Sequence, residues 1–322
     1  MDSLTLDRLE EQLVHALQID GRAPFSRIAA VLGASDRTVA RRYTKLRSTG
    51  ALRVVGLPRT RRVGRVNWLV RMQCAPDAAQ AVAATLARRD DTSWVSLASG
   101  GTEVTFVAHT RDRGTSLLQK LPRGPRITSV TAQCMLRAVA GTSGWPGRTS
   151  ALTPAQIDQL QPRPADPDPG TTVELTATDQ LLLAELAKDG RAGFPALAAA
   201  TGIPESSARR RLAELRRTDV LYFDIETDPV LLGYTTEAAL WLTVAPAELN
   251  TVADALARHR EVAFASAVTG PTNMFAFVVC RDADALYDYL ATRIGALPGV
   301  LQVETAPLVR SAKRSGALLF RG

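Results

Sequence analysis

Cysteine and histidine are scarce in this chain, three of each among 322 residues, and their placement excludes several chemistries. Cys74, Cys134 and Cys280 lie far apart and form no CxxC pair, so neither a disulfide framework nor a zinc site is expected. His15, His109 and His259 are scattered, with no HExxH and no Ser-His-Asp ordering, so each reads as structural or solvated. No metal, cofactor or catalytic centre is expected. No apolar run approaches the roughly 18 residues of a membrane span, and no basic-then-apolar leader opens the chain. The reading is a soluble, cytoplasmic protein with no membrane partner.

What is present is enough length for roughly two to four domains with real cores. Hydrophobic content is an ordinary 46%, and the net charge of +7 favours an anionic partner, nucleic acid first. The stretch GASDRTVARRYTKLRSTG (33–50) carries that charge on a helical pattern. Ser35 is a good N-cap, Asp36 suits a helix N-terminus, and Gly50 is a good stop. Val39, Tyr43 and Leu46 recur at i, i+4, i+7 and should face inward, leaving Arg37, Arg41, Arg42 and Lys45 on the other side. Two helical segments precede it, Leu6–Ile19 and Phe25–Leu32, with a turn at Gly33 before the third. Three short helices with that turn make a helix-turn-helix pattern.

The segment after Gly50 reads as extended and holds Arg53, Arg59, Arg61, Arg62 and Arg65. From Asn67 the period changes, and strands and helices follow in the order β-α-β-β-α-β, a ferredoxin-like unit, its second helix expected over 114–121. Residues 141–173, rich in Pro, Gly, Asp, Thr and Ser, read as an extended linker with a helical turn or two at 152–160. Then everything repeats. An offset of 169 places Gly33 on Gly202 and Leu46 on Leu215, and an offset of 170 later places Gly100 on Gly270. The expected fold is α+β: helix-turn-helix domains of winged type at 1–58 and 174–228, alternating with βαββαβ domains at 63–140 and 232–312. Trp68, Trp94 and Trp241 fall on expected strands, where core or interface packing is the default. Trp145 lies in the linker.

These residues resemble the Lrp/AsnC (feast/famine) transcriptional regulators, twice over. The first half carries DGR at 20–22, FSRIAAVLG at 25–33, SDRTVARRYTKLRSTGAL at 35–52 and Gly64. The second carries DGR at 189–191, the helices up to DVL at 219–221, DPVLLGY at 228–234, TGPTNM at 269–274 and ALPGVLQVET at 296–305. The resemblance implies a regulator of double-stranded DNA whose ligand domains pair, form homo-oligomers and bind a small effector such as an amino acid. Because two units are fused, one chain can build internally the pairing other members reach by dimerising. Two departures stand out. The acidic place after the glycine turn is Glu103 in the first half and Asn273 in the second, and PRGPRITSV (122–130) replaces the usual LPGVLQVET.

The candidate DNA contacts are Ser35, Arg37, Thr38, Arg41, Arg42, Lys45, Arg59, Arg61 and Arg62 in the first half. In the second they are Ser206, Arg209, Arg210 and Arg211. The acids of the second hinge, Asp224, Glu226 and Asp228, oppose phosphate binding there. The effector candidates are the glycine turns: Gly100, Gly101, Thr102 and Glu103, then Thr269, Gly270, Thr272 and Asn273. Glycine admits a carboxylate close to backbone N–H groups, and a threonine adds a hydroxyl. Two alternatives accompany this reading. One is a ligand-binding co-regulator that does not itself read DNA. The other is an enzyme like the sirohaem decarboxylases, in which Lrp-like pairs are also fused. Against the enzyme, the segments after the glycine turns, EVTFVAH and NMFAFVVC, lack the histidine- and arginine-rich cluster of those enzymes.

Overall fold

The computed structural model describes residues 6–111, 121, 125–141, 145, 147–162 and 172–315. The chain divides into two compact units, one holding residues 1–64 and 148–232 and the other 65–147 and 233–322. Each unit therefore joins the corresponding pieces of both repeats.

The first unit contains α1 (Arg8–Ile19), α2 (Phe25–Leu32) and α3 (Asp36–Ser48), then β1 (Leu52–Pro58). Further on come α5 (Pro154–Leu160), α6 (Ala177–Lys188), α7 (Phe194–Thr201), α8 (Glu205–Arg217) and β6 (Leu221–Thr227). The helices form where the apolar spacing expects them, because burying one stripe of each is what stabilises them. Leu13, Leu17, Ile28, Val39 and Leu46 close the first core, and Leu182, Leu186, Leu197, Ala208 and Leu215 the second. Gly33 and Gly202 both adopt left-handed backbone (φ 65° and 71°) between the last two helices of each triad, which glycine does without steric cost.

β1 and β6 pair antiparallel, with Val55 opposite Asp224. Those two are counterparts under the 169 offset, so an approximate two-fold axis passes between them. Part of the linker is ordered on this unit. α5 lies over the first triad, where Arg27 donates to the carbonyl of Gln159 and Gln156 donates to that of Val31. Leu160 is fully buried there. The expected helical turn is thus a helix with a docking face, and 148–162 is not a free spacer.

The second unit contains β2 (Val66–Cys74), α4 (Ala79–Ala87), β3 (Thr92–Ala98), β4 (Glu103–Thr110) and β5 (Ile127–Ala140). Its second copy is β7 (Thr236–Val244), α9 (Leu249–Arg258), β8 (Val262–Val268), β9 (Met274–Cys280), α10 (Ala283–Asp288, continued as a wider turn over Tyr289–Ile294) and β10 (Val300–Lys313). The helix expected over 114–121 falls, apart from Leu121, outside the described residues.

The eight strands close into one antiparallel barrel in the order β10-β3-β4-β2-β5-β8-β9-β7. β5 and β10, 14 residues each, do the closing. Each runs its first half beside its own repeat (β2 or β7) and its second half beside the other (β8 or β3). Closure removes the sheet edges that separate domains would expose. One chain thus makes the pairing the duplication suggested. Trp241 is buried against Phe275 in a cluster that draws Leu69 and Ala98 from the other repeat. Trp94, in contrast, is exposed and sits at φ 53°. Trp145 packs edge-on to Tyr234 and donates to the carbonyl of Arg260, so it docks on this unit.

Candidate nucleic-acid interface and glycine turns

α3 begins as expected: the Ser35 hydroxyl accepts from the Thr38 N–H, and Val39, Tyr43 and Leu46 are buried. Its charged face is divided. Arg37 and Arg41 are exposed and have no partner among the described residues. Arg42 instead turns back to α1, where it meets Asp7 and donates to Glu10 at 2.9 Å; Lys45 donates to the same Glu10 oxygen at 3.0 Å. Glu10 is only 1% exposed. Burial works against its charge, but hydrogen bonds from Lys45, the Asp7 backbone and Arg42 outweigh that and lower its pKa. Arg42 is therefore a tie between helices, not a projection from the outer face.

The second triad repeats the tie. Arg211 donates to both oxygens of Asp179 (2.7 and 2.8 Å), the counterpart of Glu10, and also pairs with Glu214. Donating to Asp179 raises the arginine's pKa, while Asp179 itself is lowered against the effect of burial. On α8 Ser206 and Arg210 are exposed, and Arg209 lies over the Phe194 ring at 4.0 Å.

The arginines of β1 and of the turn after it do not form the open basic track read from the sequence. Arg53 pairs with Glu226, Arg59 pairs with Asp219 (2.6 Å) and covers the Tyr222 ring, and Arg62 donates to the carbonyl of Thr218. Glu226 of the second hinge and Asp219 just before it thus neutralise Arg53 and Arg59 of the first half. Desolvation at the half-buried Asp224 pushes its pKa up, with Arg148 opposing the shift. Only Arg61 of the proposed trio is exposed.

The sequence reading missed the residues that hold the two triads together. Arg22 donates to the carbonyls of Gly190 and Ala192; Arg191 donates to those of Gly21 and Ala23. Arg47 pairs with Asp189 and Arg216 with Asp20, again reciprocally. Gly190 approaches β1 so closely that a Cβ there would lie 2.9 Å from Val54 and from the Val55 backbone. The signal was available: DGR recurs in both halves at the common offset, as a self-complementary contact requires.

In the barrel unit the first glycine turn is wired internally. Thr102 donates its hydroxyl to the Ser99 carbonyl. Glu103 is 0% exposed and takes two bonds from Arg71 (2.6 and 2.8 Å), one from Gln73 and one from Ser99. Arg71 also reaches Glu304 (2.5 Å) on β10 and stacks over Trp241 at 4.3 Å. At the second turn Thr269 accepts from the Cys134 N–H, and Gln133 donates to Thr272 and to the carbonyl of Thr269. Asn273 bonds both backbone groups of Val244, closing the end of β7 as a strand would. The polar side chains offered to an effector are thus already engaged by protein, while Gly100 and Gly101 face open space.

The paired helix-turn-helix unit and the closed eight-stranded barrel are matched, piece by piece, by the domains of a family of transcriptional regulators. The AsnC-type helix-turn-helix domain matches at residues 6–47 and again at 175–216, and the Lrp/AsnC ligand binding domain at 237–318. Together these matches take in just over half of the chain, and it belongs to the Lrp/AsnC family of DNA-binding regulators. An uncharacterised HTH-type transcriptional regulator of Pyrococcus abyssi is 29% identical over 149 residues, covering 46% of this chain and 94% of the relative. HTH-type transcriptional regulator FL11 of Pyrococcus horikoshii is 28% identical over 147 residues, 45% of this chain and 97% of the relative. Each relative is thus about one repeat long. Among solved structures, the siroheme decarboxylase NirDL covers 95% of this chain and 92% of its own, with a TM-score of 0.63 and 14% identity, a likeness of fold alone.

Proposed function

We propose that this regulator reads its operator chiefly through α3, with Arg37 and Arg41 as the principal contacts and Ser35 and Thr38 at the helix N-terminus beside them. α8 contributes Ser206, Arg209 and Arg210, and Arg61 reaches a flanking phosphate. Arg42, Lys45, Arg59 and Arg211 position these elements through their ion pairs, Arg62 does so through the Thr218 carbonyl, and all five touch DNA secondarily. The observation that carries the assignment is the division of the α3 charges: Arg37 and Arg41 are exposed, whereas Arg42 is spent on Asp7 and Glu10. Recognition helices place N-terminal residues against base edges, and arginine is well suited to guanine. Arg37→Ala with Arg41→Ala should lower operator affinity at least about tenfold in a gel-shift titration and shallow its salt dependence, with the unfolding transition unchanged. Unaltered binding refutes the assignment.

The barrel unit binds an amino-acid-sized effector at the glycine turns and assembles into homo-oligomers in the cytoplasm. Openness at Gly100 and Gly101 supports the first, and Val130, Leu136, Leu301 and Val309, exposed on β5 and β10, support the second. The effector acts by changing the assembly that presents the helices. Calorimetric titration with amino acids, and molar mass by light scattering with and without them, test both.

A second reading, an enzyme of the sirohaem decarboxylase kind, rests on the shared fold. His109, the one histidine on β4, is half-buried and held between Ser93 and Asn67, a placement that favours the regulator. A tetrapyrrole absorbance shift on adding protein would reverse that preference.

A further inference from the structure

The two recognition helices sit in a single frame. The β1–β6 register, the reciprocal Arg22 and Arg191 contacts, and the Arg47–Asp189 and Arg216–Asp20 pairs relate α3 to α8 by the approximate two-fold axis. In a homodimeric reader such an axis presents two identical helices, and the DNA site is palindromic as a consequence.

Here the two helices agree on the inside and differ on the outside. Their buried positions are apolar in both copies: Val39 with Ala208, Tyr43 with Leu212, Leu46 with Leu215. The inter-helix tie is also kept, as Arg42 with Glu10 and Arg211 with Asp179. The outward positions diverge in chemistry. Arg37 answers to Ser206, Ala40 to Arg209, Lys45 to Glu214 and Ser48 to Arg217, whereas Arg41 keeps its type as Arg210 and the frame-holding Arg47 as Arg216. Positive charge is not lost from α8; it is moved. It leaves the first turn, where Arg37 stands on α3, and reappears one turn later at Arg209, oriented by the Phe194 ring. A forked guanidinium at one place and a serine hydroxyl at its counterpart cannot select the same base, because only the former makes the bidentate contact with guanine.

We propose that one chain reads a non-palindromic operator made of two unlike half-sites, α3 specifying one through Arg37 and Arg41 and α8 the other through Arg209 and Arg210. This rests on the DNA-reading assignment above. The duplication then does more than remove a dimerisation step. It lets the halves of one reader evolve separate base preferences inside a fixed frame, and it gives the bound protein a direction along the DNA.

The test is selection from random duplexes with the full chain, followed by titration of the recovered site and of two symmetrised versions carrying either half twice. The expected result is an asymmetric consensus, with each symmetrised duplex bound at least about tenfold more weakly, since a wrong base pair in a specific site typically costs about that much. Arg37→Ser should erase base preference in one half only, and Arg209→Ala in the other half only. A palindromic consensus bound equally in both halves overturns this inference and leaves the DNA-reading assignment standing. Absence of enrichment together with absence of salt-dependent binding overturns both.

Discussion

Replacing Arg191 by alanine tests how the two recognition helices are held in register. Its guanidinium donates to the carbonyls of Gly21 (2.8 Å) and Ala23 (3.0 Å) and lies 4.2 Å from the Phe25 ring centre and 5.4 Å from that of Tyr43. Hydrogen bonds from a charged donor are worth about 1.5–3 kcal/mol each, and a partly desolvated cation over a ring about 0.5–2 kcal/mol. Water entering the vacated space repairs part of the loss, so the expected cost is about 3 kcal/mol. Arg191→Lys should recover little of it, because an ammonium cannot fork to two carbonyls and stack at once.

Arg22→Ala should behave alike, and the pair should not add. Burial, then the nearby charges of Arg191 and Arg216, depress the Arg22 guanidinium to about 10. Either single variant already relieves the repulsion between Arg22 and Arg191, and the double variant relieves it only once, so the double costs more than the two singles together. Since the two units need not unfold together, amide hydrogen exchange across Leu52–Pro58 and Leu221–Thr227, alongside urea unfolding, is the assay. If Arg191→Ala and Arg191→Lys both keep wild-type exchange there, the reciprocal contacts do not hold the frame and the reasoning fails.

Two further outcomes are expected in the barrel unit. Arg71→Ala strands the buried Glu103 carboxylate with only Gln73 and Ser99, and should cost about 3 kcal/mol in chemical denaturation, whereas Arg71→Met with Glu103→Leu should recover much of that. His109, desolvated at its half-buried site and near the charges of Arg65 and Lys313, with Asp91 opposing them, is depressed to about 4 from an ordinary 6.5. The folded protein therefore keeps it neutral where the unfolded chain takes up a proton. Its contribution is complete above pH 6.5 and is lost as pH falls towards 4, by up to about 1.4 kcal/mol per pH unit. A His109 resonance titrating near 6.5 in the folded protein would contradict this, and His109→Gln should flatten that part of the stability profile.

Much of the architecture was legible because it is written locally. An apolar stripe at helical spacing identifies the buried face of each recognition helix, and the repeated offset exposes the duplication without reference to coordinates. The site was legible only in part. Arg41 and Arg42 are neighbours at the edge of the same stripe, and nothing within the helix says which is exposed. The answer lies in Glu10, 32 residues earlier, which accepts Arg42 and Lys45 once the helices pack. The arginine run after Gly50 read as a phosphate track because its acidic partners lie about 160–170 residues away, brought opposite by the β1–β6 pairing.

The sequence by itself determined the element order, the two-fold repetition, the family and the inward faces, since periodicity and glycine placement act over a few residues. Tertiary structure decided which charges are spent within the protein and which stay exposed. It also decided that repeats follow one another along the chain but pair across it, helix triad with triad and sheet with sheet. Those outcomes depend on strand register and charge partnering between distant segments, and an ion pair leaves no period in a sequence.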